Sequence, residues 1–104
     1  MYRNVIQITL MPLKPGLDGL LLDELALIVE TSRQFSGCLA FDLYRLTAQP
    51  STIVLHEVWE TRDAYHAHCH SSHRSEFNRI VTASLARPIE TWGVEEICLT
   101  TAGD

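Results

Sequence analysis

The chain predicts an α+β domain in which one antiparallel sheet carries its helices on a single face. Three observations lead there. Stretches of two-residue alternation and stretches of three-and-four spacing succeed one another as strand, helix, strand, strand, broken helix, strand, and that order places helices over one face of an antiparallel sheet. The middle two strands are joined by a short loop containing Pro50, the length of a hairpin connection. The chain has 104 residues, 46% of them apolar, which suits one domain, so residues 1–104 read as a single unit.

The elements justify themselves in turn. Residues 5–11 alternate Ile6, Ile8 and Leu10 against Val5, Gln7 and Thr9, a strand period that Pro12 and the Pro15-Gly16 pair end. Residues 17–32 repeat Leu17, Leu21, Leu25, Ile28 and Val29, broadened by Leu20 and Leu22, the apolar stripe of an amphipathic helix. Gly37 marks the turn out of it. Residues 39–46 form a second strand with Leu39, Phe41 and Leu43 on one face, residues 47–51 the hairpin, and residues 52–59 a β-branched third strand. Thr61 caps a helix from Arg62, with Asp63 favourable to its N-terminal dipole. Ser71-Ser72 interrupts it, and residues 73–85 continue with Phe77, Ile80, Val81 and Leu85 inward until Pro88. Residues 89–99 hold the last strand, with Trp92, Val94 and Cys98 on its apolar side, and the tail 100–104 is polar.

This is a ferredoxin-like arrangement. Its helix-free face would still carry Val5, Val58 and Trp92, so a homodimer is expected in which two sheets pack face to face. The net charge of −5 repels phosphate backbones and excludes nucleic acid as a partner. Without a basic amphipathic helix, or an apolar run of about 20 residues, no membrane association is expected. The N-terminal stretch lacks the cleavage pattern of a signal peptide. Cys38, Cys69 and Cys98 are odd in number and make no C-x-x-C pair, which suits reduced thiols in the cytoplasm.

Residues 55–77 hold all five histidines. His66, His68 and His70 alternate, and residues two apart on a helix point away from each other. His66 and His70 could share a metal with His73 and Glu76, but a solvated flank is the simpler reading, and no metal or cofactor is expected. Tyr65 and His68, three apart, share a helix face.

The run E-V-W-E-T-R-D-A-Y-H-A-H then S-S-H-R-S-E-F, with L-K-P-G at 13–16 and S-G-C-L at 36–39, resembles the antibiotic biosynthesis monooxygenase superfamily of small dimeric α+β-barrel proteins. Glu57, Trp59, Ala64, His68, His73 and Phe77 stand where such proteins carry E-x-W, an A-x-x-x-H helix and H-x-x-x-F. Haem-degrading members carry Trp at the place of His68 and His at the place of Asn78, and only Asn4 matches their polar set. The cofactor-independent oxygenases are more similar: Trp59, Tyr65 and Arg79 fall at spacings like those of their substrate and oxygen residues, although their Asn shortly before the Trp is missing.

The resemblance thus implies oxidation of a phenolic or quinol-type aromatic by O2 without a cofactor. Such chemistry needs an anion of the substrate, donors that stabilise it and a mostly apolar cavity. His68 is the candidate base and Tyr65 its catalytic neighbour. Trp59 could stack on the substrate, Arg79 could pair with its anion, and Asn4, Glu57 and Cys69 could line its site. The competing reading is that His68 and Tyr65 fill space between helix and sheet. Glu57 is either a buried acid or, more readily, the partner of an Arg across the dimer interface. Cys69 reads as a small packed thiol if not a ligand contact. Two other functions remain open: an acid–base isomerase of a small carbonyl compound using His68 and Glu57, and a binding domain without catalysis.

Overall fold

A computed structural model describes residues 4–16 and 18–97. Within them the order is β1 (Val5–Pro12), α1 (Asp18–Arg33), β2 (Cys38–Arg45), β3 (Thr52–Trp59), α2 (Arg62–Cys69), α3 (Ser72–Ala83) and β4 (Glu90–Val94). The strands form one antiparallel sheet in the order β2-β3-β1-β4, the ferredoxin-like topology expected from the element order. Expectations placed on Leu17, the Leu20 side chain, Cys98 and residues 99–104 lie outside the described residues.

Register assigns every strand side chain to a face, because neighbours along a strand point oppositely. Val5, Gln7, Thr9 and Met11 pair with Trp59, Glu57, Leu55 and Ile53, and this set faces the helices. Phe41 joins it opposite Glu57, and Thr91 opposite Thr9. α1 lays Leu21, Leu25, Ile28 and Val29 on this face, and α3 adds Phe77, Ile80 and Val81. The opposite face carries Ile6, Ile8, Leu10, Val54 and Val58, with Trp92 and Val94 from β4.

Three expectations are corrected. Val5 is buried on the helix side beside Trp59 rather than on the bare face. Leu39 does not share a face with Phe41 and Leu43: the β2–β3 register shifts between Cys38 and Ala40, a bulge whose extra residue leaves Leu39 exposed. β4 ends at Val94, which pairs with Ile6, one residue from the start of β1, so almost none of β1 is left to extend the ladder.

Gly37 fixes where α2 sits. Its φ is +83°, in the left-handed region, and a Cβ there would lie 2.5 Å from the Ala64 Cβ. The Gly37 carbonyl accepts the Glu60 N–H at 2.7 Å, so the start of β2, the end of β3 and the first turn of α2 meet at one point.

Candidate active site

The two short helices aim their side chains independently. Thr61 caps α2, its hydroxyl accepting the Ala64 N–H at 3.0 Å. Ser71 caps α3 by accepting the Arg74 N–H at 3.0 Å, and donates its own proton to the His68 carbonyl at 2.7 Å. Because the chain breaks here, faces counted through the histidine run do not carry across. His68 and His73 both turn inward, while His66 and His70 stay exposed. The possible trio of His66, His70 and His73 therefore does not converge.

His68 is fully buried. Its ring lies 4.7 Å from Trp59, 4.8 Å from Phe35 and 5.4 Å from Phe41, centroid to centroid. Ser32 Oγ is 3.0 Å from His68 Nε2 and 2.8 Å from His73 Nε2, and His73 Nε2 is 2.7 Å from the Ile28 carbonyl. A carbonyl only accepts, so His73 Nε2 carries a proton. Ser32 Oγ thus bridges the two imidazoles, and on its other side His68 Nδ1 lies 3.4 Å from Arg74 Nη1. Burial, and next the Arg74 charge, lower the His68 pKa to about 4, so the ring is neutral at physiological pH.

Beneath this lies a buried ion pair. Glu57 is 1% exposed and accepts Arg74 Nη1 and Nη2 at 3.0 Å each. A third bond, 2.9 Å long, comes from Trp59 Nε1 to Glu57 Oε1. The guanidinium also sits over the Phe77 and Phe41 rings, 5.4 and 5.8 Å from their centroids. Burial works against the Arg74 charge, but the Glu57 hydrogen bonds and charge outweigh it and raise its pKa. Glu57 pairs within its own chain, not across an interface, because it belongs to the helix-facing set of β3.

Arg74 opens onto a cavity of about 350 Å³ between α3 and the sheet. Met11, Leu55, Phe77 and Val81 supply its apolar wall. Arg74, Asn78 and Cys69 bring polar atoms, as do Thr9 and Thr91, whose hydroxyls lie 3.2 Å apart. Ile89 reaches it from the α3–β4 connection.

The candidate residues separate accordingly. Cys69 lines the cavity. Tyr65 is half-buried behind it and hydrogen-bonds Cys69; burial first, and then that bond, push its phenol up to about 12, so it keeps its proton. His68 and Trp59 form a layer behind the cavity rather than its wall, and Glu57 reaches the cavity only through Arg74. Asn4 lines a separate concavity with Gln7, Arg62 and Gly93. Arg79 points outward, bonded to Glu76 on the exposed side of α3. Arg74, Asn78 and Ser32 were not anticipated. Arg74, Phe77 and Val81 fall at i, i+3 and i+7, and Ser32 continues the Leu21, Leu25, Ile28 stripe, so helical spacing held the signal for two of them.

Residues 4–80 match the antibiotic biosynthesis monooxygenase family. The chain matches no curated protein. Solved structures share the fold: a conserved protein of Methanosarcina mazei Go1 superposes with a TM-score of 0.85 at 16% identity, covering 92% of this chain and 95% of its own. A protein named as an antibiotic biosynthesis monooxygenase gives 0.83 at 24% identity, covering 90% and 99%. Rv0793 from Mycobacterium tuberculosis gives 0.82 at 23% identity, covering 94% and 99%. With the family match spanning most of its length and the fold shared end to end, the chain belongs to the antibiotic biosynthesis monooxygenase family.

Proposed function

We propose that this protein is a cofactor-independent monooxygenase that oxidises a phenolic or quinol-type aromatic with O2. The observation that carries the reading is the apolar cavity with a guanidinium held rigidly at its wall. A flat ring fits between Leu55, Phe77 and Val81, with its oxygen toward Arg74 and a second oxygen toward Thr9, Thr91 or Asn78. N–H groups at Arg74 meet the charge as the phenol ionises, which is where preorganised donors lower a barrier. The substrate anion gives one electron to O2, the two radicals join at a ring carbon, and the hydroperoxide loses water to leave a quinone. One oxygen atom enters the ring and the other leaves as water, with the substrate supplying the electrons. Acidic phenols release their proton to solvent, so the sealed position of His68 does not obstruct the step.

The same geometry weighs against an isomerase built on His68 and Glu57, since neither side chain faces the cavity. We further propose that the protein works as a cytoplasmic homodimer joined through the bare sheet face, where Ile8 pairs with Trp92, itself 59% exposed.

Oxygen uptake with a panel of quinols, unaffected by chelator, is the expected result. Turnover that persists under nitrogen sinks the oxygenase. Thermal stabilisation by quinols with no oxygen uptake from any of them replaces it with the binding-domain reading.

A further inference from the structure

We infer that the Glu57–Arg74 pair makes this cavity selective for uncharged phenols and quinones over aromatics bearing a carboxylate, with Glu57 as the specificity-determining residue. The inference rests on the reading of the cavity as an aromatic site. Arg74 is the one formally charged side chain on the cavity wall among the described residues. On its own it would draw carboxylates, since guanidinium and carboxylate match in charge and geometry. It is not on its own. Glu57 takes one N–H from each terminal nitrogen at 3.0 Å, and the pair is largely buried, with side-chain exposures of 11% for Arg74, which faces the cavity, and 1% for Glu57.

A ligand carboxylate would then have to displace Glu57 or sit beside it as a second anion. Displacement is opposed, because the Trp59 indole N–H also holds the Glu57 carboxylate in place and a Glu57 parted from Arg74 would be a buried charge without a countercharge. A second anion would meet one cation shared between two carboxylates in an apolar wall, within a chain whose net charge is already −5. A neutral phenol or quinone oxygen meets neither obstacle. Guanidinium carries five N–H groups, and those not given to Glu57 remain to bond an oxygen. Selectivity arises here from penalising the wrong ligand rather than from an added contact to the right one.

The test compares two matched probes, 1-naphthol and 1-hydroxy-2-naphthoate, by calorimetric titration of the full chain under nitrogen at neutral pH. Wild-type protein should bind 1-naphthol tighter by roughly tenfold or more, and in Glu57→Gln the ratio should shrink by about tenfold or invert, since the guanidinium is then uncompensated. Thr82→Trp, an exposed position at the cavity rim, should abolish binding of both probes. Should Glu57→Gln fail to fold, Glu57→Gln/Arg74→Gln, which removes both charges, should keep the wild-type preference. Equal or tighter wild-type binding of the naphthoate overturns the inference, as do an unchanged ratio in folded Glu57→Gln, naphthoate preference in the double variant, failure of both probes to bind, or binding that survives Thr82→Trp. Oxygen uptake enters none of these readouts, so preference without turnover overturns the oxygenase reading alone.

Discussion

Glu57 and Arg74 are each costly to bury and tolerable only together. Removing one partner leaves a charge in an apolar layer, so Glu57→Ala should destabilise the fold by about 3–5 kcal/mol in urea unfolding. Replacing both by apolar residues of similar volume should restore most of that loss. His68 makes a separate prediction in pH. Its folded pKa is lowered to about 4 from the ordinary 6.5, so the unfolded chain takes up a proton first as pH falls. Its contribution is complete above pH 6.5 and is lost between 6.5 and about 4. The loss is on the order of 3 kcal/mol. His68→Gln should flatten that part of the stability profile, and NMR titration should find the wild-type ring neutral at pH 6. Residue-level chemistry was only partly legible. Tyr65 and His68 were correctly placed on one face by their spacing, because that argument stays within one helix. Arg79 was implied by a spacing resemblance, which carries no information about face, and it lies on the outer side of α3. The five residues from Arg74 to Arg79 turn a helix by about 140°, and the Glu76–Arg79 pair three apart is the mark of a solvated side.

At the scale of elements, local signals did most of the work. Thr61 caps α2 as expected, and Thr61→Ala should cost about 1 kcal/mol, read by thermal or urea unfolding. β3 runs Thr52–Trp59 as its β-branched composition indicated. What the sequence could not show is where elements touch. Ser32 and His73 lie 41 residues apart, and no periodicity pairs them. The Gly37 contact is of the same kind: Gly37 reads locally as a turn, yet its constraint comes from Ala64. Gly37→Ala should therefore destabilise by both the φ and the clash, at about 1–3 kcal/mol. Adding Ala64→Gly should recover only the part due to the clash.

For the molecule as a whole, the prediction concerns the sheet face without helices. Trp92→Asp should convert the proposed homodimer to monomers in light scattering while the isolated fold remains cooperative, whereas a wild-type mass equal to one chain removes the dimer. That face was anticipated from strand alternation alone, although the bulge at Leu39 and the inward turn of Val5 rearranged its membership. One consequence follows from β1. Its even residues Ile8 and Leu10 form the bare face and its odd residues Thr9 and Met11 line the cavity, so the two surfaces are separated by a single pleat. A partner that flattens or twists this strand resizes the cavity, and a ligand that wedges the cavity reshapes the strand for the partner. In the proposed homodimer, association and ligand affinity would then be thermodynamically linked, each strengthening or weakening the other by the same factor. Dilution of the protein would be felt as a change in apparent ligand affinity, with no residue of the cavity altered.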